Sequence, residues 1–358
     1  MGGTRIPSTL GNKAMIDSEY RKEVLAHAHA LMGRNAYVDA IAWLRNACHE
    51  QPDFQFQKLL AQCRYRAYAV APPLALVDEA WSLSIEDPFA SIAGIPEIEA
   101  EQLNPLTLTA GIRCHGALLV RGLLDPSRAS DWASGIEQTL QDCHAWPPEQ
   151  RDAVETPWYS RLALKDNYGL GFARNWIEGA GGVWAADSPR LLYELIEFFE
   201  TSGVLGAITG YFDERPMLSV GKSTLRRVPA NQGIADWHQD GAFMGTDIRS
   251  VNVWLSLSHC GDDASGLDLL PQRLSGLLPT GTHDAFFDWS VGPGMVDQAA
   301  AGVATVSPIF RPGDALLFDH FFLHRTGVPA GICRPRYAIE SWFFAPSAYP
   351  AAQVPLWL

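Results

Sequence analysis

Paired cysteines, a membrane-length apolar run and an excess of basic charge are all missing from this 358-residue chain. The six cysteines, Cys48, Cys63, Cys114, Cys143, Cys260 and Cys333, form no CxxC pair. That spacing excludes a cysteine-rich zinc site and reads as reduced, mostly buried thiols in a cytoplasmic protein. No apolar run is long enough to span a bilayer, and Met1–Pro7 leads into no apolar signal core. Ile6 stands where a myristoylation signal needs Ser or Thr. A net charge of −13 argues against a nucleic-acid partner.

What is present is the composition of a globular protein, 47% hydrophobic and 19% charged, with mean hydropathy −0.04. The charge is uneven. Residues 1–75 hold nine Lys/Arg against six Asp/Glu, a surplus of +3, while the remainder sums to −16. Two regions of different character follow, with boundaries expected at 1–75, 76–106 and 107–358.

Residues 1–16 read as a loose tail, and Asp17 to about Ala69 as helices. Tyr37, Ala40, Ile41, Leu44 and Ala47 recur at three- and four-residue spacing, Gly33-Arg34-Asn35 is a turn before them, and Pro52 closes the helix. Leu59, Leu60 and Cys63 mark a third helix. The order resembles the second half of a tetratricopeptide repeat, covering about one repeat. Such repeats need neighbours to bury their faces. Two readings stand side by side: a plain helical hairpin packed on the main domain, or a module that binds a protein partner through residues 17–69. Ala71-Pro72-Pro73 and the acidic 97–101 stretch form a connector.

Gly116–Leu124 reads as a buried strand, and Asp125-Pro126-Ser127 as the start of a helix carrying Trp132, Ile136 and Leu140. Residues 144–190, rich in Trp, Tyr, Gly and Pro, suggest long loops over a site. Leu191–Phe199 is an amphipathic helix. From Pro216 the period turns toward two, with strands expected at Met217–Val228, Trp237–Asp240, Ser250–Leu257, Gly266–Leu270, Val303–Phe310, Ala315–Phe318 and Arg336–Phe343. Short strands without intervening helices predict an α+β protein with a mainly β core, a double-sheet jelly roll.

The chemistry centres on Trp237-His238-Gln239-Asp240. Side chains alternate along a strand, so His238 and Asp240 would face the same side. His324 follows 84 positions after Asp240. Two imidazoles and one carboxylate on one face of a divalent metal leave the other face open, the arrangement of non-haem Fe(II) oxygenases. His320 shares the strand parity of His324 and is the alternative third ligand. His259 and His283 fall in loops, as surface residues or substrate contacts, and His115 and His144 read as structural.

His238 and Asp240, the Ser265–Pro271 turn and strand, Arg311-Pro312-Gly313-Asp314 feeding Ala315–Asp319, His324-Arg325-Thr326-Gly327 and Arg336 stand in an order that resembles the phytanoyl-CoA dioxygenase-like family of Fe(II)/2-oxoglutarate oxygenases. The resemblance spans about residues 107–345. It implies a double-stranded β-helix and iron held by His238, Asp240 and His324. It also implies 2-oxoglutarate and O₂ as co-reactants and C–H hydroxylation with release of succinate and CO₂. Arg336, twelve residues past His324, matches the family's clamp for the distant carboxylate of 2-oxoglutarate, and Thr326 the hydroxyl that assists it. His320 lies sixteen residues before Arg336 with Phe322 two positions on, which favours His324. Trp254 matches a family position near the cosubstrate, although an aromatic there serves equally as core. Lys222, Thr224 and Arg226 share one face of a strand where family members place polar cosubstrate contacts; Lys222 is the preferred candidate, and a solvated sheet edge is the other reading for Arg226. Arg334 reads as a neighbour of the site. Asp240 bears on the outcome too, because related halogenases lack this carboxylate so that chloride can bind.

Chemistry supports the assignment independently: a planar guanidinium grips a carboxylate in two prongs that Lys cannot copy. The aromatic loops, with Trp146, Trp158, Trp176, Trp184 and Trp289, are expected to shape the pocket of a small-molecule or carrier-linked organic substrate. The competing function is a non-catalytic metal-binding jelly roll that recruits a partner through its N-terminal helices.

Overall fold

The computed structural model describes residues 10–70, 85–165, 170–231, 233 and 235–358. Three helices come first: α1 (Leu10–Gly33), α2 (Tyr37–Glu50) and α3 (Phe54–Ala67). α1 thus begins inside the stretch read as a tail. Asn35, with a positive φ of 60°, makes the turn at Gly33–Asn35. Asp53 caps α3 through Gln55 N–H, one residue after Pro52. Ala71-Pro72-Pro73 lies outside the described residues, and so do residues 76–84 of the expected linker.

β1 (Glu97–Glu99) comes from the acidic stretch read as connector; it pairs parallel with β2 (Ala117–Arg121) and is therefore part of the main sheet. α4 (Pro105–His115) lies between them, capped by Asn104. α5 (Pro126–His144) starts where Asp125-Pro126 predicted, with the Asp125 carboxylate accepting from Ser127 N–H. The 144–190 stretch is not all loop: it carries α6 (Leu170–Gly179) and β3 (Gly182–Trp184). α7 (Pro189–Thr201) and α8 (Val204–Phe212) follow, then β4 (Met217–Val228), α9 (Gly241–Met244), β5 (Ser250–Ser256), β6 (Gly266–Leu269), α10 (Pro293–Ala300), β7 (Ala315–Phe318), β8 (His324–Gly327), β9 (Arg336–Phe344) and β10 (Pro355–Trp357).

Eight strands form one sheet in the order β1-β2-β7-β5-β9-β4-β10, with β3 also on β4, and β6 and β8 form a second, two-stranded sheet. Isolated bridges Trp237–Val291, His238–His324, Cys260–Phe310 and Leu269–Val306 continue the pairing around β6 and β8. Val303–Phe310 is thus represented by single bridges and not by the expected strand. On the large sheet, alternation separates two cores. Val251, Val253, Leu255, Leu317, Ile339 and Phe343 face the layer of α4, α5, α7 and α8. Trp254, Leu316, Phe318, Ala338, Trp342 and Phe344 face the other way and pack with Leu267 and Leu269 of β6. Because helices cover one face and a second sheet the other, both faces of these strands are apolar.

The N-terminal helices have their own core, which includes Leu44, Phe56 and Leu60 and reaches Tyr193 of α7 and Trp357 of β10. Arg45 makes a two-pronged contact with Glu197, at 2.7 and 3.0 Å, and buried Arg64 donates to the Trp357 carbonyl at 2.8 Å. The hairpin therefore packs on the main body, the plainer of the two readings. All six cysteines are free thiols, four of them buried; burial pushes Cys48 and Cys63 up to about 12.

Candidate metal centre

His238, Asp240 and His324 each present one ligand atom, and these atoms lie within 4.8 Å of one another. The route to that geometry differs from the one expected. Trp237–Asp240 is not a strand. His238 is held by a single antiparallel bridge in which its N–H donates to His324 O at 3.0 Å and His324 N–H returns the bond at 3.1 Å. Directly opposed residues of such a pair bring their side chains together, and the two rings stand 4.4 Å apart between centroids. Asp240 then turns into α9, and Gly241 N–H donates to His320 O at 2.9 Å. A Cβ on Gly241 would press on the end of the Leu277 side chain and on His320, so the exit from Asp240 is closely packed.

Each imidazole is oriented by its own backbone. Nδ1 of His238 bonds Asp236 O and Nδ1 of His324 bonds Phe322 O, both at 3.1 Å. A carbonyl can only accept, so each Nδ1 carries the proton and each Nε2 keeps a free lone pair for a metal. Asp240 Oδ2 lies 3.8 Å from His324 Nε2, while Oδ1 receives Lys222 Nζ at 3.2 Å. Burial alone would raise the Asp240 carboxyl; the charges of Lys222, His238 and His324 outweigh it and hold the group at about 2. Burial and the neighbouring His238 push His324 down to about 4. At neutral pH the trio is one carboxylate and a neutral His324, the forms that bind metal.

His320 is excluded from the trio. It is buried with Nδ1 against Ser250 Oγ at 2.8 Å, and it belongs to neither metal-competent cluster among the described residues. The second such cluster, His259 with Asp262 and Asp263, sits at the surface, where His259 Nε2 bonds Asp262 at 2.7 Å. His283 bonds only its neighbour Thr282. His115 is tied to Gly94 O and Asp87, as a structural histidine is.

Arg336 opens β9, is 2% exposed, and crosses from the large sheet to the small one, where Nη1 donates to Gly266 O at 2.8 Å. Its guanidinium lies over the Trp254 ring at 5.4 Å. Nε has no hydrogen-bond partner among the described residues, and burial pushes the group's pKa below its ordinary value. A buried, incompletely bonded guanidinium is costly unless an anion meets it. Gly266 pairs with Gly327 and Leu267 with Thr326, so Arg336 reaches the end of β8 that carries Thr326, two residues past His324 and on the same strand face. Arg334 is elsewhere, at the surface against Asp263.

Lys222 meets the carboxylate of the trio itself. Arg226 is not on a sheet edge, because β4 lies there between β9 and β3; Nε stands 2.9 Å from Glu340 Oε1, as an ion pair whose angle falls short of a directed hydrogen bond. Thr224 donates to the same Glu340 at 3.1 Å. Sequence reasoning passed over Glu340, although β9 alternation places it on the face of Arg336 and Trp342. It also passed over Gln239, the residue between the two ligands. Gln239 is 1% exposed, donates to Gly276 O and Phe321 O, and accepts from Leu278 N–H, clamping two loops behind the trio. Of the five tryptophans expected at the pocket, Trp289 is the one seen against a metal-site ring, 6.1 Å from His238. Trp184 is core beneath Arg174, and Trp158 lies under Arg190.

No family model and no curated protein matches the chain. Solved structures do. An iron-bound structure of EctD from S. alaskensis aligns over 67% of this chain and 76% of its own, at 14% identity and a TM-score of 0.47. AviO1 from Streptomyces viridochromogenes Tue57 aligns over 70% of this chain and 99% of its own, at 16% identity and 0.45. SnoK, a non-heme alpha ketoglutarate dependent carbocyclase from nogalamycin biosynthesis, aligns over 68% and 85%, at 13% identity and 0.44. These are distant likenesses.

Proposed function

We propose that this chain is an Fe(II)- and 2-oxoglutarate-dependent oxygenase, built on a double-stranded β-helix over residues 107–358, that hydroxylates a C–H bond of an organic substrate. The observation that carries the reading is the trio His238, Asp240 and His324 with both Nε2 atoms free, on a scaffold that also buries Arg336 with an unpartnered Nε. The donor set fits the ion: two imidazole nitrogens, one carboxylate oxygen and no thiolate suit Fe(II) better than a structural zinc.

His238 and His324 would hold the metal through Nε2, and Asp240 through Oδ2, with Lys222 retaining Oδ1. Bound iron supplies the capacity to activate O₂, with 2-oxoglutarate as the source of two electrons and succinate and CO₂ as its products. Arg336 is suited to the far carboxylate of 2-oxoglutarate, since its free N–H needs an anion. Trp254 forms the wall beneath that guanidinium, and Thr326 offers a hydroxyl at the same strand end. Gln239 keeps the loops behind the trio in place, and Phe318 and Phe322 pack against the His324 ring. A scaffold that only recruits partners has no use for a lone pair aimed from each histidine together with a buried unpaired guanidinium, so the enzyme reading is preferred to a binding module. The N-terminal helices are an accessory segment packed on this body.

The reading is tested by measuring succinate formed from 2-oxoglutarate with added Fe(II). Turnover should vanish in Asp240→Ala and His324→Ala, and Arg336→Lys should raise the KM for 2-oxoglutarate at least about tenfold, since a point charge cannot reproduce the two-pronged contact. Turnover that persists in both ligand variants would refute it.

A further inference from the structure

Beside the trio stands a run of four aromatic side chains open to solvent: Phe243 at 45% exposure, Phe286 at 80%, Phe287 at 46% and Trp289 at 36%. They are contiguous. The Trp289 ring stands against the His238 imidazole at 6.1 Å, Phe243 packs on Trp289 at 5.3 Å, Phe287 lies parallel to Trp289 at 5.0 Å and 7°, and Phe286 meets Phe287 at 4.7 Å. The chain of rings therefore begins on a metal ligand and runs outward. Aromatic side chains of this size leave on the order of 400 Å² of ring surface open here, as large as the largest apolar patches that monomers display.

The rings are held there, not left loose. Asp236 Oδ2 accepts from Ser290 Oγ at 2.6 Å and from Phe286 N–H at 3.0 Å. Val291 N–H donates to Trp237 O at 2.8 Å and Gly281 N–H to Ser290 O at 2.9 Å. Asp236 is the residue whose carbonyl orients His238, so one residue fixes both the ligand and the aromatic loop. Lys222, which holds Asp240, also sits over the Phe243 ring at 5.1 Å. A patch tied to the metal ligands by these shared contacts is part of the same site.

We infer that Phe243, Phe287 and Trp289 form the substrate platform of the metal centre, and that the substrate is a small molecule with a rigid, flat, ring-shaped apolar face. This rests on the oxygenase reading for its chemistry. Phe287 and Trp289 stack on each other, and the outer face of that stack offers a flat surface, which a rigid ring covers without losing chain entropy and a flexible acyl chain covers only at that loss. Trp289 stands 6.1 Å from the His238 ring, so a substrate ring held by this cluster lies beside a metal ligand. Two sources share this chemistry: a fused aromatic system and the C–H face of a sugar ring.

The test uses the full chain, Mn(II) in place of iron, 2-oxoglutarate, and three probes: 2-naphthol, methyl β-glucopyranoside and n-octanol. Binding is followed by calorimetry and by paramagnetic broadening of each probe's proton signals. One or both ring probes should bind and be broadened, n-octanol should bind more weakly, and Phe287→Ala and Trp289→Ala should each weaken ring binding by roughly tenfold, as expected for a lost ring stack. Trp176→Ala, at a more exposed tryptophan on α6, should change nothing. Which ring probe binds names the source. Ring binding that ignores Phe287→Ala, no ring binding, or octanol bound as tightly overturns the platform. Failure of Mn(II) and 2-oxoglutarate to bind overturns the oxygenase reading instead, and calorimetry on the metal-free protein then still decides the platform.

Discussion

His324 and Asp240 bring a pH dependence with them. In the folded protein His324 sits near 4, below its ordinary 6.5, so the unfolded chain takes the proton first. Stability of the metal-free protein is then fully present above about pH 6.5 and declines as pH falls through 4, by on the order of 3 kcal/mol. Asp240, held at about 2 against 3.8, adds a further loss lower down, as pH falls from 3.8 toward 2. Thermal unfolding followed from pH 7 to 4 should show this decline, and His324→Asn should flatten it; an unchanged slope would mean that His324 is not held neutral by the fold. The ligands themselves were legible in the sequence because His238, Asp240, His324 and Arg336 are residue types with few alternatives for this chemistry. His320 was harder to set aside, since it shares the strand parity of His324; its spacing to Arg336 disfavours it, and in the structure its Nδ1 is held by Ser250. Glu340 and Gln239 escaped notice because a half-buried Glu pairing and a buried amide clamp are properties of what lies across the fold, which spacing along the chain does not encode.

The turn that launches β7 is where local geometry is least tolerant. Gly313 has φ 94°, its carbonyl accepts from Leu124 N–H at 3.0 Å, and a Cβ there would run into the Leu124 carbonyl. Asp314 beside it bonds Arg121 at 2.6 Å and Gly122 N–H at 3.0 Å. Gly313→Ala should therefore cost on the order of 3 kcal/mol in urea unfolding; a change below about 0.5 kcal/mol would show that the turn can relax. Strands with two apolar faces, β5, β7 and β9, were readable within a residue or two because their composition and length agree. Trp237–Asp240 misled: two isolated bridges, at Trp237 and His238, followed by α9 do the work of a strand. Val303–Phe310 failed likewise, with two lone bridges where the pattern asked for a ladder. α6, in a stretch read as loop, is held by tertiary ion pairs: Glu178 meets Arg151 and Arg161, and Arg174 meets Asp187, partners that no local pattern announces.

Across the whole molecule, the N-terminal helices and the sheet-bearing body share an interface. α3 lies on α7 and β10, and the apolar contact with Tyr193 and Trp357 is reinforced by Arg45 to Glu197 and Glu200 and by Arg64 to Trp357 O. Cutting the chain to residues 76–358 should expose that face, lower the melting temperature by several degrees and promote association; a truncated protein that stays monomeric and melts as before would make the helices an independent module. The charge break near residue 75 could not tell separation from docking, since both leave the same composition. The account's central claim is that one metal ion sits among His238, Asp240 and His324 with 2-oxoglutarate held toward Arg336. Its most direct test is an anaerobic spectrophotometric titration: adding 2-oxoglutarate to the Fe(II)-loaded protein should raise a weak visible charge-transfer band that is absent in His324→Ala and needs much more cosubstrate in Arg336→Lys. No band with iron bound, or a band unaltered by His324→Ala, would contradict it.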